Sequence, residues 1–472
     1  MESSPQYSEP VPVARPKLTL PIKLAYGAGD LGAGLTSNLL AFSYLIFLTN
    51  VAGLSPLTAG TVLLIGKIWD GVNDPLVGML SDRTRTKWGR RYPWMALTAI
   101  PFGFTFFLNW IVPGFESELA KFWYYVFISI AFQVFFTTTN LPYSTLTAEL
   151  TQDYDERTDL TSFRLAFSLT GAVMILALGL VVSQQVANEA QQYLVLGGLG
   201  GAIAALSVYW CTFGTFGHAK RQATYQGHSL NQQAESEMPF LQQVKIVFSN
   251  RPFLYVVGIY LFSWLALQIT ATIIPYYVKF WMGSDNYFLA ALLVQGTAIF
   301  MMFICSLLSQ RIGKKGLYFL GSGLWILVQL GLFFLQPGQL GTMYGLCVLA
   351  SFGVATAYVV PWSILPDVIE LDELQTGCRR EGAFYAFMTL LQKGGLAVGI
   401  FLVSLALETS GFAQDAAQQP DSALWAIRFF MGPVPLTLLI CGMILAYFYP
   451  ITKAKHAEIL LQLAERKRNP SR

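Results

Sequence analysis

Twelve apolar runs, each long enough to cross a lipid bilayer, constrain the fold of this chain more than any other feature. About 20 apolar residues span the hydrocarbon core. Such segments must be helical, because lipid offers the backbone no hydrogen-bonding partner. The sequence therefore predicts an all-α membrane protein with twelve transmembrane helices. In order, spans 1 to 12 cover about residues 24–50, 57–80, 94–113, 122–149, 162–186, 191–213, 252–281, 286–309, 316–335, 341–366, 383–407 and 425–449.

The composition excludes several other classes of protein. Only 12% of the 472 residues are charged, against about 25% in a typical soluble protein. The net charge of +3 gives no indication of nucleic-acid binding. Five scattered cysteines form no CxxC pair, so we expect neither a disulfide framework nor a structural zinc site. The sequence shows neither a nucleophile–base pair nor a phosphate-binding glycine loop, so we do not expect an enzyme. We expect no cofactor.

The positive charges predict the orientation of the chain in the membrane. Lysines and arginines cluster in both tails and in the loops after spans 2, 6 and 8, whereas residues 187–192, 336–341 and 408–424 contain none. The positive-inside rule then places both termini in the cytoplasm, and an even number of spans requires the same side for both. We expect a multi-pass protein of the cell (inner) membrane.

An internal repeat divides the chain into two six-helix halves. Span 4 ends with PYSTL at 142–146 and span 10 with PWSIL at 361–365, an offset of 219 residues (361 − 142). The loops after spans 2 and 8 likewise begin with SDR and SQR. Repeats of this kind build transport sites at the midplane between the halves. The predicted divisions are a disordered cytoplasmic N-terminus (1–20), the N-terminal half (21–216), a cytoplasmic linker (217–250), the C-terminal half (251–452) and a cytoplasmic tail (453–472).

Two carboxylates in span 2 predict a cation site. Asp70 and Asp74 are four residues apart and share one helix face, with Asn73 within a turn of both. Each buried charge costs roughly 2.5–3.5 kcal/mol on membrane-insertion scales, and the two repel each other unless a cation or proton lies between them. Hard oxygen ligands suit Na⁺ or a proton. The alternative is an ion pair between Lys67 and Asp70 that joins helices, which leaves the second carboxylate unexplained.

Other polar side chains in the spans are candidates for ligands of the ion or of a solute. Thr137 and Asn140 precede Pro142 in span 4, and Gly34 and Asn38 share a face of span 1. Lys393 lies too deep in span 11 to reach the surface easily, so we expect it to meet a carboxylate in a central cavity. Ordinary helix packing remains the alternative for each of these positions. Further candidates are Arg164 at the start of span 5 and Tyr358 in span 10.

Charged segments after spans 2 and 10 predict a gate on the cytoplasmic side. The first is basic and the second, at 367–381, mixes acidic and basic residues. Opposite charges from the two halves can pair when that side is shut, although simple topology signalling also explains the basic loop. The candidate gate residues are Asp82, Arg83, Arg90, Arg91, Asp367 and Glu370.

Several motifs resemble known transporter families. The stretch at 78–91, with its glycines, Asp82 and arginines, resembles the loop 2–3 signature of the major facilitator superfamily. The segments YGAGD (26–30), WDGVNDP (69–75), QDYDER (152–157) and LPDVIE (365–370) resemble the glycoside–pentoside–hexuronide:cation symporter family. The resemblance covers about residues 20 to 450 and implies the major facilitator architecture.

The resemblance also implies roles for individual residues. It makes Asp70, Asn73, Asp74 and Thr137 the cation ligands, and matches Arg164 and Lys393 to a substrate-binding arginine and the lysine of span 11. Gly34 and Asn140 stand where sugar-binding aspartates of the family lie, and Ser144 and Tyr358 where tryptophans lie. These substitutions make a galactoside an unexpected substrate.

The expected function is cation-coupled symport of a small polar solute, such as a sugar, glycoside, pentoside or hexuronide. Two carboxylates with Asn and Thr oxygens favour Na⁺ over H⁺, while Arg164 and Lys393 suit an anionic solute. The family also resembles vertebrate sodium-dependent lysophosphatidylcholine transporters, so amphipath transport is the alternative. The linker is too short for the output domain of a membrane sensor. The expected partners are the solute, a monovalent cation and the lipid bilayer, with no nucleic acid, and we expect a monomer.

Overall fold

The computed structural model describes residues 18–468 except 152, 226–247, 378–379, 415 and 417, so Cys378 and most of the predicted linker lie outside it. The described chain is built from helices. They are α1 (Leu20–Asn50), α2 (Pro56–Arg83), α3 (Tyr92–Leu108), α4 (Glu118–Thr145), α5 (Thr147–Leu150), α6 (Tyr154–Gln185), α7 (Glu189–Tyr225), α8 (Arg251–Tyr276, with a π-helical turn Tyr277–Trp281), α9 (Tyr287–Phe334), α10 (Leu340–Thr376), α11 (Glu381–Thr409), α12 (Asp421–Met431), α13 (Pro433–Phe448) and α14 (Lys453–Arg468).

These helices account for the twelve predicted spans. Within the described residues, nine helical segments are long and apolar enough to cross a membrane, and α3 is a shorter apolar helix. The helix α9 contains two spans, because Gly313 adopts a left-handed φ of 75° and turns the chain between them. Helices α12 and α13 form one span interrupted at Gly432. The nine segments of the described chain thus contain ten spans, and α3 and the polar helix α2 bring the total to twelve. This arrangement confirms the predicted all-α fold.

Polar residues at the helix ends fix where the spans begin and stop. The Asp153 side chain accepts hydrogen bonds from the first backbone N–H groups of α6, and Asn250 does the same for α8. Gly377, with φ 74°, ends α10. Because α10 ends only there, it extends ten residues beyond residue 366, the predicted end of span 10. Asp367 and Glu370 consequently lie on a helix. The helix α7 likewise continues to Tyr225, into the predicted linker.

The two halves, α1–α7 and α8–α13, pack against each other and contain matching internal contacts. Across the interface α2 packs on α11 and α6 on the first part of α9, while α1 packs on α8. Within the N-terminal half the Tyr44 hydroxyl donates to Asn109 Oδ1 at 2.6 Å. Thr270 and Gln329, which follow these residues by 226 and 220 positions, contact each other at 3.0 Å in the other half. The structure thus repeats the six-plus-six pattern of the sequence.

The bundle has two ends, and contacts between the halves close one of them. We call the end where α1 begins and α14 lies the terminal face, and the other the opposite face. At the opposite face Lys279 forms an ion pair with Glu189, and the Thr49 and Tyr276 hydroxyls are 2.7 Å apart. The backbone N–H of Leu57 donates to Glu408 at 3.2 Å. All three contacts join one half to the other.

Candidate functional site

A central cavity of about 400 Å³ lies between the two halves. Its wall comes chiefly from α1, α2 and α4 on one side and from α8 to α11 on the other. Most of the lining side chains are apolar or aromatic, with a smaller number of amides and charged groups. This combination is typical of a pocket that encloses a small molecule and orients it through a few polar contacts. The aromatic lining residues are Phe42, Tyr44, Phe132, Phe136, Trp264, Trp325 and Tyr358.

Three charged side chains meet at the border of this cavity. The Lys393 ammonium on α11 lies 3.1 Å from Asp70 Oδ2 and 2.6 Å from Asp74 Oδ2, both on α2. Asp70 is buried, whereas Asp74 is about one-third exposed. The spacing of four residues on α2 brings both carboxylates to one face, and α11 supplies the cation from the other half of the protein. The cluster therefore bridges the interface between the halves.

Helix α4 completes the surroundings of the two carboxylates. The Thr137 hydroxyl lies 3.4 Å from Asp70 Oδ1 and 3.1 Å from Asp74 Oδ1. Asn73 donates from its side-chain nitrogen to the Gln133 carbonyl at 3.2 Å, which leaves its amide oxygen to approach a cation. Two carboxylates, a hydroxyl and an amide oxygen form a hard, all-oxygen donor set. The four residues predicted as cation ligands thus lie side by side.

Lys67 has a different position from the one expected in an ion pair with Asp70. It lies one turn before Asp70 on α2 and lines the cavity. Among the described residues no carboxylate comes within ion-pair distance of its ammonium group. The lysine that Asp70 contacts is Lys393, so the two lysines of the cavity differ in their pairing.

Three of the predicted solute contacts line the cavity: Asn38, Tyr358 and Lys393. Asn38 accepts a hydrogen bond at its side-chain oxygen from Gln295 Nε2 at 3.0 Å, across the interface between the halves. The ring of Tyr358 packs edge-on against Trp264, with centroids 5.7 Å apart. The sequence did not predict this contact of Gln295, because a single glutamine in an apolar helix does not indicate which neighbouring helix it faces.

The other four predicted solute contacts are not among the lining residues. Gly34 is buried against the backbone of Ser168 on α6, where a side chain would overlap the Ser168 carbonyl, so its role is close helix packing. The amide nitrogen of Asn140 donates to the Phe136 carbonyl one turn back, and Ser144 donates to the Leu141 carbonyl. Their hydrogen bonds are made within α4.

Arg164 is the fourth of these residues and is held within the N-terminal half. Its Nε lies 3.3 Å from Asp30 Oδ2, and its guanidinium lies over the ring of Tyr143 at 5.4 Å from the centroid. The sequence predicted neither of these two contacts of Arg164. The charge of Arg164 is therefore already balanced by Asp30.

The predicted gate residues pair within their own halves. Arg90 Nε and Arg91 Nε donate to Glu149 Oε1 at 3.0 and 2.6 Å, and both arginines lie 3.9 Å from Asp82. Burial lowers the pKa of Arg91, and the charge of Glu149 opposes that shift. Arg83 is exposed at the end of α2.

The C-terminal half holds the matching cluster. The Lys314 ammonium lies 2.7 Å from Asp367 Oδ1, and His456 Nε2 on α14 lies 2.6 Å from Glu370 Oε2. The structure does not bring Asp367 and Glu370 together with the arginines of the 84–91 loop. In this conformation each cluster stabilises the terminal face of one half.

The fold and the cavity define a membrane transporter, and comparisons with known proteins give its family. Residues 25–453 match the model of the family described as MFS/sugar transport protein. The chain is 43% identical to an uncharacterized symporter of Synechocystis sp., over 96% of this chain and 98% of that protein. It is 28% identical to the sodium-dependent lysophosphatidylcholine symporter 1 of Mus musculus, over 95% of this chain and 88% of that protein.

A solved structure gives the same fold. A point mutant of the nucleoside transporter NupG superimposes with a TM-score of 0.63 at 16% identity, covering 91% of this chain and 99% of that chain. The protein belongs to the MFS/sugar transport protein family, and the two relatives above are both named as symporters. It is therefore a multi-span membrane transporter of the major facilitator superfamily.

Proposed function

We propose that this protein carries a small polar solute, a sugar, glycoside, pentoside or hexuronide, together with a cation across the cell membrane. The observation that carries the proposal is the Lys393 ammonium that bridges Asp70 and Asp74. A cation bound by these carboxylates must displace the lysine. Because the lysine belongs to the other half, cation binding changes a contact between the halves, as alternating access requires.

The donor set favours Na⁺ as the coupling ion. Asp70, Asn73, Asp74 and Thr137 supply hard oxygen ligands from two helices that already pack together. A proton needs only one of the carboxylates and neither neutral oxygen. Proton coupling therefore leaves the position of Asn73 and Thr137 without a role in the coupling step.

The proposed transport cycle uses the two faces of the bundle in turn. With the terminal face in the cytoplasm, as the basic loops predict, the contacts of the opposite face close the outside. Solute and ion then exchange with the cytoplasm in this conformation. When the terminal face shuts, the 84–91 loop approaches the end of α10, where Arg90 and Arg91 can exchange Glu149 for Asp367 or Glu370. Asp82 and Arg83 border the same loop.

One observation favours a second candidate, an amphipath as the transported molecule. The cavity wall is mostly apolar and aromatic, which suits an acyl chain better than a fully hydroxylated sugar. A relative with 28% identity is named as a lysophosphatidylcholine symporter. The polar groups of the wall suit either molecule, so the candidates must be separated by binding.

Thermal unfolding of the purified protein tests the proposal. A ligand that binds the folded state stabilises it by mass action, so NaCl should raise the melting temperature above that in choline chloride of equal ionic strength. A glycoside or a uronate should add a further increase only when Na⁺ is present. Stabilisation by lysophosphatidylcholine alone, with sugars silent, favours the amphipath. A melting temperature that responds to neither Na⁺ nor pH contradicts cation coupling.

A further inference from the structure

Lys67 places an ammonium group in the centre of a membrane protein. It lines the cavity midway along α2, and among the described residues its ammonium group has no carboxylate within ion-pair distance. A charged group at that depth is unfavourable in a membrane, and such groups usually mark a substrate or ion pathway. Helix packing does not explain this charge, because no described residue of a neighbouring helix forms an ion pair with it.

The other basic groups near the cavity are already neutralised. Lys393 contacts both Asp70 and Asp74. Arg164 contacts Asp30 and is not among the lining residues. Lys67 is thus the basic lining residue of the described chain that contacts no carboxylate.

The charge of the cavity depends on the state of the cation site. Before a cation binds, the two lysines balance the two aspartates Asp70 and Asp74. One bound monovalent cation between the aspartates brings the sum to +1, and it releases Lys393 from its contacts. The loaded site therefore favours a solute that carries one negative charge, which restores neutrality in a medium of low dielectric constant.

The surrounding wall offers hydrogen-bond donors to such a group. Gln133, Gln268 and Gln392 present side-chain amides from three helices. The indole of Trp264 is only 9% exposed, and its N–H has no hydrogen-bond acceptor in the described part of the chain. Buried donors normally have acceptors, and carboxylate and phosphate oxygens are acceptors that bind an ammonium ion strongly.

We propose that Lys67 binds an anionic group of the transported solute, a carboxylate or a phosphate ester, after a cation has occupied Asp70 and Asp74. This inference rests on the proposed symport function and specifies the chemistry of its substrate. It makes the cation a condition for substrate binding, because the net positive charge appears only in the loaded site.

Two pairs of probes, each matched in size and different in charge, test this inference. The first pair is 4-nitrophenyl β-D-glucuronide and 4-nitrophenyl β-D-glucoside. The second is lysophosphatidate and the monoacylglycerol with the same acyl chain, added to protein in nanodiscs. Binding is measured by the melting temperature in NaCl and in choline chloride. The pair that responds identifies a sugar or a lipid as the source of the anion.

The expected result is that the charged member of one pair stabilises the native protein in NaCl and its neutral partner does not. Lys67→Gln should weaken that binding about tenfold to a hundredfold, the usual loss for a hydrogen bond to a charged group. Lys67→Arg should retain most of it. Both variants should keep the stabilisation by Na⁺ alone, which shows that they are folded and that the cation site is intact.

Three results overturn the inference: equal stabilisation by charged and neutral members, undiminished binding to Lys67→Gln, or no response to either pair. These failures differ from failure of the proposed function. If neither Na⁺ nor pH changes the melting temperature of the native protein, cation coupling fails first. If Na⁺ stabilises it and the probes show no preference for charge, only the role of Lys67 fails.

Discussion

The ammonium group of Lys393 lies 2.6 Å from Asp74 Oδ2 across the interface between the two halves. The same group lies 3.1 Å from Asp70 Oδ2. One side chain of the C-terminal half therefore occupies the place between two carboxylates of the N-terminal half, where a coupling cation would bind. In the proposed cycle this lysine is both the counterion of the two carboxylates and the competitor that a cation must displace.

Replacement of Lys393 by Met should make folding depend on Na⁺. The substitution leaves two carboxylates without their counterion, and removal of one partner of a fully buried pair costs about 3–5 kcal/mol. We expect about 2 kcal/mol here, because Asp74 is one-third exposed. Added NaCl should recover most of this loss, since Na⁺ then binds without a competitor. Melting temperatures in NaCl and choline chloride measure both effects.

A matched control for this variant is Lys121→Met, because the Lys121 ammonium donates to the Ala52 carbonyl near the opposite face and is remote from the carboxylates. Its loss of stability should be the same in both salts. A loss for Lys393→Met that NaCl does not recover would contradict competition between the lysine and the cation.

Neutralising the carboxylates should abolish the response to Na⁺ while the protein remains folded. In Asp70→Asn or Asp74→Asn, Lys393 retains one acidic partner, so the unfolding temperature without Na⁺ should change little. The remaining oxygen ligands bind Na⁺ too weakly to stabilise the fold. Glu116→Gln, at an exposed position of the loop before α4, is the control that should keep the full response. A normal Na⁺ response in both aspartate variants would rule out the site.

The spacing of residues in α2 was enough to predict that the two carboxylates lie together, but not which lysine contacts them. Residues four positions apart lie on one face of any helix. The proximity of Asp70 and Asp74 therefore follows from the sequence alone. Lys67 is also one turn away, yet the ammonium group between the carboxylates comes from Lys393, 319 residues after Asp74. Which lysine reaches the carboxylates depends on how α11 packs on α2, and local spacing carries no information about that contact.

The gate residues give a second example of this limit. Lys314 and Asp367 follow Arg90 and Glu149 by 224 and 218 residues, nearly the offset of the sequence repeat. Each half therefore contains the same basic–acidic pair, formed within itself. The repeat, applied to the charges as well as to the prolines, was the signal that could have predicted pairing within each half.

Glu149 should contribute more to stability than the more exposed Asp82. Glu149→Gln removes the carboxylate that accepts from both Arg90 and Arg91 and is only 11% exposed, so we expect a loss of about 2 kcal/mol in the free energy of unfolding. Asp82→Asn removes contacts of 3.9 Å at a half-exposed position and should cost less than about 0.5 kcal/mol. Equal losses in denaturant unfolding would show that Glu149 has no special role at the terminal face.

Disulfide trapping can test which end of the bundle is closed. A Cβ at position 60 on α2 would lie 2.3 Å from the Ser404 side chain on α11, close to the opposite face. A disulfide needs about 3.8 Å between its Cβ atoms, so a bridge at this pair requires the two helices to separate slightly. In a background without the five native cysteines, Gly60→Cys combined with Ser404→Cys should crosslink under mild oxidation, because the two positions stay within reach after that small separation. The crosslink is measured by the gel mobility of the protein after cleavage at a protease site introduced into the 226–247 segment.

The terminal ends of the same two helices provide the control. Met79 on α2 and Gly382 on α11 are both exposed, and the three contacts that close the bundle lie at the opposite face. Met79→Cys combined with Gly382→Cys should crosslink poorly in the resting protein, and so should either single variant of the first pair. Because the two helices are shared, flexibility or expression cannot produce opposite yields in the two pairs. A crosslink at the terminal pair, with none between positions 60 and 404, would show that the resting protein is open at the opposite face.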